Sequence, residues 1–364
     1  MTRTLPARSP VVEALAAAGR LPAFVYDLSE LDAHVRSVRA ALRGVELYYA
    51  VKANPDPELL RVLARHVDGF EVASGGELAH VRGLHPETPV AMGGPGKTDA
   101  EIHSEVTRLH VESPGELRRL LASGRAADVL LRVNLDVPVE GASLAMGGGA
   151  TPFGMDPPSV AECVDLIRAQ DAVRLRGIHA HLASGLEAPA MLDLAAAVVE
   201  YARGLGVAEI NLGGGMAVSY AEPGRCFDWE TYGRGLAELR RPGETFRIEP
   251  GRSLTVYCGR YVTRVIDVKR VHGELFAVVA GGTHHIRTPA TKGHNQPVAG
   301  GEPGEPVTIV GQLCTPKDVL ARRVPMRLER GDVVEFAMAG AYAWNISHHD
   351  FLMHPRPGFH YLGE

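Results

Sequence analysis

Lys52 is the residue with the most chemistry to offer. It closes the run Val45-Glu-Leu-Tyr-Tyr-Ala-Val51, apolar and aromatic apart from Glu46, so it stands where a strand leaves its sheet. In dry surroundings its ammonium loses hydration, its pKa falls, and the free amine becomes a nucleophile able to form a Schiff base. Three other stretches carry groups that could work with such an amine: the triplet Gly213-Gly214-Gly215, Glu249-Pro-Gly-Arg252, and His179-Ala-His181. Glycines let backbone N–H groups approach a phosphate closely, and an arginine adds charge-assisted hydrogen bonds to the same group. On a strand, His179 and His181 point to one face and could in principle share a metal. No third ligand is evident beside them, so one of the two reads as a packed structural histidine.

The elements around these residues repeat. Ala23 to Tyr26 reads as a lone strand, and Ser29 then caps a helix whose Leu31, Val35, Val38 and Leu42 share a face, with Gly44 as the stop. Strand-like runs follow at Val45–Val51, Val67–Val72, Pro89–Met92 and Leu109–Glu112. The last three are followed by Ser74-Gly-Gly-Glu77, Thr98-Asp-Ala-Glu101 and Ser113-Pro-Gly-Glu116, each a capping box that opens a helix. The runs Val129–Asn134, Leu175–Leu182, Ile210–Leu212 and Phe246–Ile248 bring the strands to eight. Eight parallel strands alternating with helices predict a (β/α)₈ TIM barrel, an α/β fold, over residues 28–255. Gly141 to Pro158, rich in glycine and proline, reads as a loop insertion with freedom to move. After about Ser253 the runs Tyr257–Val271, Leu275–Val279, Val307–Gly311 and Val333–Met338 carry no helices of length between them. They predict a C-terminal antiparallel β domain, residues 256–364 with 1–27.

In such barrels chemistry sits at the C-terminal ends of the strands. In strand order that rim holds Lys52, Glu71, Gly93-Gly94, Glu112, Arg132 with Asn134, His181 with Ser184, the glycine triplet, and Glu249 with Arg252. One amine, a glycine cradle, arginines, a histidine and carboxylates are the equipment for a phosphate-bearing carbonyl cofactor. Glu249 could hold a proton on a pyridine nitrogen, which pyridoxal phosphate needs to act as an electron sink, and His181 could stack on the ring.

The stretches Tyr49-Ala-Val-Lys-Ala-Asn54, Gly69-Phe-Glu-Val-Ala-Ser74, His179-Ala-His-Leu-Ala-Ser184, Gly213–Gly215, Glu249–Arg252, Gly311-Gln-Leu-Cys314 through Asp318, and Gly340-Ala-Tyr342 occur in one order across nearly the whole chain. In these motifs the sequence resembles the fold-type III pyridoxal-phosphate decarboxylases, the family of diaminopimelate, ornithine and arginine decarboxylases, with an alanine-racemase-type barrel. The resemblance implies pyridoxal 5′-phosphate as cofactor, with Lys52 forming the imine and His181 stacking on the ring. It implies that Ser184, Gly214, Gly215 and Arg252 bind the phosphate, that Tyr342 contributes from the β domain, and that Glu249 pairs with the ring nitrogen. It also implies a head-to-tail homodimer in which Cys314, as proton donor, and Asp318, as a substrate-binding residue, cross to the partner's site. Ala183 stands where the family has glycine and Gln312 where it has proline, which touches the phosphate contact at Ser184 and the pose of the Cys314 loop.

Arg287, in Gly281-Gly-Thr-His-His-Ile-Arg287-Thr-Pro289, reads as a carboxylate clamp. The paired His284 and His285, the tail Ser347–Pro357 and Gly93–Lys97 resemble the siderophore-assembly branch, which decarboxylates citryl-diaminopropionate. Arg287, His284, His285 and Arg356 would suit a citrate-bearing substrate. The alternative is a diaminopimelate decarboxylase making L-lysine. A racemase would want a tyrosine in place of Cys314, and a non-catalytic cofactor carrier would lack the β domain. His348, His349 and His354 have no ligand geometry that follows from their spacing, so no metal is expected.

Composition sets the outer bounds. Of 364 residues 45% are hydrophobic and 22% charged, and the net charge of −5 implies no nucleic-acid partner. The four cysteines are scattered without a CxxC pair, which suggests neither zinc knuckle nor disulfide framework and fits a reducing cytoplasm. No run approaches the roughly 20 apolar residues a membrane helix needs, and the N-terminus does not read as a signal peptide.

Overall fold

The computed structural model describes residues 10–137, 144–145 and 147–363. Residues 141–143 and 146 of the Gly141–Pro158 insertion therefore lie outside the described residues, and with them the expectation that it moves. The chain divides into two units, His34–Ala217 with Phe227–Gly251, and Met1–Ala33 with Val218–Cys226 and Arg252–Glu364.

In the first unit eight parallel strands close a barrel. In chain order they are Val45–Ala50, Gly69–Val72, Val90–Met92, Arg108–Val111, Ala127–Arg132, Val173–His179, Glu209–Asn211 and Thr245–Ile248. The eighth pairs with the first, Phe246 opposite Val45 and Ile248 opposite Leu47. Strands flanked by helices are covered on both faces, which is why they read as apolar runs rather than alternating ones. The helix starts use the capping residues. Ser74, Thr98 and Ser113 each accept the backbone N–H three residues on, and Thr98 with Glu101 makes the full reciprocal box. Asp156 caps Pro157–Arg168, and Gly206, left-handed at φ 73°, ends Ala188–Leu205.

The N-terminal end of the barrel is closed by charge. Arg108 Nε donates to Glu209 at 2.8 Å, Arg247 Nη1 lies 2.8 Å from the same carboxylate, and Arg247 also donates to Glu46 and stacks over Tyr48 at 4.4 Å. These groups satisfy one another, so that end is a packed plug. The free strand termini are left at the other rim. Lys52 lies there, not in the strand itself but in the 3₁₀ turn Val51–Ala53 that follows it.

The second unit is a sheet built on the long strand Gly259–Val271. It pairs antiparallel with Ala23–Asp27, Glu274–Val279 and Val333–Phe336, so the early strand joins this sheet. Two pairings are parallel: Ala23–Asp27 with Gly358–Leu362, and Glu274–Val279 with Glu302–Val310. Each joins strands separated by a long stretch of chain, which is what a parallel return needs. The strands Val319–Arg327 and Gly358–Leu362 were not legible in sequence. Arg322, Arg323 and Pro325 break the apolar pattern of the first, which tolerates them because it lies at the end of the strand order. Among the described residues no helix is long and apolar enough to cross a membrane.

Gly177 in the sixth strand shows how tightly the barrel is wound. A Cβ there would lie 1.7 Å from the Glu209 carbonyl oxygen in the neighbouring strand. Gly177→Ala is expected to cost more than about 2 kcal/mol, because backbone rather than a flexible side chain must yield. Thermal melting of the purified variant checks this.

Candidate active site

Lys52 Nζ donates to Glu71 Oε2 at 2.7 Å, with Glu71 at the end of the second strand. The Lys52 side chain is 44% exposed and that of Glu71 only 6%. The dry lysine that the sequence analysis made a condition is therefore not observed. The ammonium is held by a carboxylate instead. Burial pushes the Glu71 carboxyl above its usual range; Lys52 pulls it down and Glu249 pushes it up again.

Glu249 follows the eighth strand and is buried. Asn211 Nδ2 donates to its Oε1 at 2.6 Å, and His179 Nε2 lies 3.0 Å from its Oε2. The carboxylate accepts there, so His179 carries its proton on Nε2. His110, from the fourth strand, stacks on His179 with centroids 4.2 Å apart and planes 15° apart. Glu71, His110, His179 and Glu249 thus come from the second, fourth, sixth and eighth strands, the alternate-strand layering that fills such barrels. His110 and Asn211 were missed in sequence. The signal for His110 was its period-two spacing from Glu112, which puts both on one face.

Donor atoms of His110, His179 and Glu249 lie within 4.8 Å of one another, so His179 does have ligand-type neighbours that the sequence spacing hid. They do not suit one ion. An imidazole binds a metal in its own plane, and two nearly parallel planes a stacking distance apart cannot both contain the same ion.

The glycine triplet is a close approach of backbones. Gly213 and Gly215 have φ of 67° and 110°. A Cβ on Gly213, Gly214 or Gly215 would meet the carbonyl oxygens of Ala180 at 2.5 Å, Glu249 at 2.6 Å and Ala183 at 2.2 Å. Any side chain would fill this cradle. Gly214 N–H donates to His181 Nδ1 at 3.0 Å, and His181 Nε2 faces Ser184 Oγ at 3.3 Å. The sixth strand ends at His179, so His181 is set by this bond and not by strand alternation. Asn211 Oδ1 accepts Gly213 N–H at 3.0 Å, tying the turn to the Glu249 carboxylate. Arg132 donates to Glu112 at 2.7 Å in a buried pair, and Glu112 also accepts Gly94 N–H at 2.7 Å. Lys97 is buried against Glu116 at 3.0 Å. An amine, a backbone cradle, an imidazole and a buried carboxylate in one barrel mouth fit pyridoxal phosphate.

In the second unit Arg252 donates to Tyr220 Oη at 2.7 Å and lies over the Tyr342 ring at 4.5 Å. Tyr342 is held at φ 50°, a strained conformation of the kind found at ligand clamps. Cys314 is a free, exposed thiol. Asp318 is buried beneath its loop, accepting Thr283 N–H at 2.7 Å and Leu313 N–H at 2.8 Å. Gln312 exchanges two bonds with Gly281, donating its N–H to Gly281 O at 2.9 Å and accepting Gly281 N–H at 2.6 Å; a proline there could not donate the first. Arg287 is exposed and its guanidinium has no ion pair among the described residues. His285 is used up by Tyr261 Oη at 3.1 Å and the Pro355 carbonyl at 2.8 Å, whereas both ring nitrogens of buried His284 lack a hydrogen bond. Arg356 is paired with Asp350 at 3.3 Å, His349 stacks on Trp344, His348 lies against Phe351, and His354 packs by His284.

Burial keeps many of these imidazoles neutral. It pushes His110, His179 and His181 well below the ordinary histidine range, lowers His284, and takes His285 to about 4. Above pH ~6.5 folded and unfolded chains are alike at these sites. Below it the unfolded chain takes up protons first, so stability falls as pH drops from about 6.5 toward 4. Denaturant melts at pH 7.5, 6 and 5 are expected to show a steadily falling midpoint.

Residues 28–263 match the family model of the pyridoxal-dependent decarboxylase, pyridoxal binding domain. The chain is 37% identical to the 2-[(L-alanin-3-ylcarbamoyl)methyl]-2-hydroxybutanedioate decarboxylase of Staphylococcus aureus, over 97% of each chain. It is 32% identical to the L-glutamyl-[BtrI acyl-carrier protein] decarboxylase of Niallia circulans, over 92% of this chain and 87% of that one. Its fold matches the crystal structure of diaminopimelate decarboxylase from Helicobacter pylori complexed with L-lysine, with a TM-score of 0.86 at 23% identity over 96% and 94% of the two chains. The chain belongs to the pyridoxal-dependent decarboxylases and is an amino-acid decarboxylase with pyridoxal 5′-phosphate as its cofactor.

Proposed function

We propose that the enzyme decarboxylates a citrate-conjugated diamino acid of the citryl-diaminopropionate kind, as in siderophore biosynthesis. The observation that carries this is the 37% identity, end to end, with a decarboxylase named for a hydroxy-dicarboxylate joined through an amide to an alanin-3-yl group. The exposed guanidinium of Arg287 and the two ring nitrogens of His284, which make no hydrogen bond among the described residues, support it. They are groups with binding capacity to spare for the carboxylates and hydroxyl of a citryl arm. His285, held on both nitrogens, would act by placing His284, and Arg356 by competition with Asp350.

When bound, the cofactor supplies an electron sink for the carbon that loses carbon dioxide. Lys52 is proposed as the amine that carries it, released from Glu71 as it does so. His181 would stack on its ring. The glycine turn, with Ser184, Arg252 and Tyr342, would hold its phosphate. Glu249 would keep the ring nitrogen protonated. Cys314 is proposed to return the proton from the partner subunit of a homodimer, and Asp318 to shape that loop from beneath. The division into residues 28–255 and 1–27 with 256–364, and a cytoplasmic location, belong to the same reading.

Carbon dioxide release is to be measured on citryl-diaminopropionate, meso-diaminopimelate and ornithine. A kcat/KM at least about 100-fold higher for the first is expected, since a site built for polar groups strongly rejects substrates lacking them. A preference for meso-diaminopimelate would instead make this an enzyme of lysine synthesis.

Lys52→Ala should lose the visible absorbance of the lysine-bound cofactor and at least about 1,000-fold in turnover. Mixed with Cys314→Ala, it should regain about a quarter of wild-type activity, because half of the re-paired dimers carry one intact shared site. No recovery on mixing would place Cys314 outside the partner's site.

A further inference from the structure

Three buried ring nitrogens near the mouth of the barrel make no hydrogen bond among the described residues: both of His110 and Nδ1 of His179. Unpartnered buried polar atoms cost stability, and two imidazoles stacked on each other supply little that a pair of leucines would not. The arrangement makes sense through what His179 touches. Its Nε2–H reaches Glu249 Oε2 at 3.0 Å, while Asn211 takes Oε1 at 2.6 Å. His110 covers the outer face of His179, and its Nε2 lies 3.8 Å from Glu249, beyond hydrogen-bond reach. Gly93 lies beside it, close enough that a Cβ there would come to 3.3 Å from its Nδ1.

We propose that His179 and His110 are positioning residues for the ring-nitrogen carboxylate: His179 aims Glu249 through its Nε2–H, and His110, stacked on His179, fixes the ring that makes this bond. The proposal rests on the reading that Glu249 meets the cofactor's ring nitrogen. Burial keeps both imidazoles neutral, helped at His110 by His179 and at His179 by the nearby cations Arg132, Lys52, Lys97 and Arg247. That matters for Glu249. A charged imidazolium at position 179 would form its own ion pair with the carboxylate and compete with a protonated ring nitrogen for it. A neutral donor orients the carboxylate and leaves its negative charge available.

The test measures the affinity of the full-length enzyme for pyridoxal phosphate and for its analogue with carbon in place of the ring nitrogen. Absorbance titration reads both, without turnover. Wild type should prefer pyridoxal phosphate, and Glu249→Gln should lose that preference. His179→Leu should reduce it about tenfold, the loss expected when one hydrogen bond to a charged group goes. His179→Gln, whose amide can place a donor near the same point, should retain it within about twofold. His110→Asn should reduce it about threefold, by loosening the bond without removing it. A drop in affinity equal for both cofactors in the His179→Leu and His110→Asn variants means a merely structural role and overturns the proposal. So does an unchanged preference in both. If His179→Leu does not fold, His110→Asn decides by the same criterion. Should Glu249→Gln itself keep the wild-type preference, the assignment of Glu249 is wrong and the proposal falls with it. If only the histidine variants keep it, the proposal alone fails.

Discussion

Glu249 is a carboxylate buried at the C-terminal mouth of the barrel, and a buried charge persists only where hydrogen bonds replace the water it has lost. The replacements here are Asn211 and His179, from the two strands before it. Much of the mouth follows from this. Asn211 spends its other atom on Gly213 N–H, so the same residue sets the carboxylate and starts the glycine turn. Gly214 then passes so close to the Glu249 carbonyl that no side chain fits, and its N–H orients His181. Carboxylate, turn and the His181 imidazole are one hydrogen-bonded unit.

The adjoining wall works by charge. Lys52 and Glu71 form a pair with one member exposed and the other buried, and the buried member also feels Glu249. Two carboxylates in one mouth raise each other's cost, and an ammonium relieves it. The lysine thus waits as a partner of Glu71, not as a free amine. Dryness around it would have to come with whatever covers the mouth.

In the β unit the same economy appears in a loop pair. Asp318 and Gln312 bind the segments Gly281–Thr283 and Gly311–Leu313 to each other from below. Cys314 follows directly, so the thiol is exposed on a loop whose base is fixed. Gln312 departs from the family's proline and repays it with a bond that proline could not make.

Lys52, the triplet Gly213–Gly215, Glu249 and Arg252 were legible in the sequence because each is tied to local constraint: a lysine after a strand, backbone too crowded for a Cβ, a motif of contiguous residues. The eight strands were legible because burial on both faces leaves apolar runs, and three helix starts because capping is a matter of four adjacent residues. The edge strands Val319–Arg327 and Gly358–Leu362 were not, since exposure removes the apolar pattern that marks a strand. Nor was the partnership of His110 with His179, or of Asn211 with Glu249. Their spacing in sequence is 69 and 38 residues, and only the assembled sheet, which lays His110 and His179 from alternate strands into one interior layer and sets Asn211 on the strand beside Glu249, brings them within hydrogen-bond or stacking distance. The sequence by itself marked out residues whose types could do the chemistry; the tertiary structure decided which neighbours hold them, because those neighbours meet through space and leave no local signature.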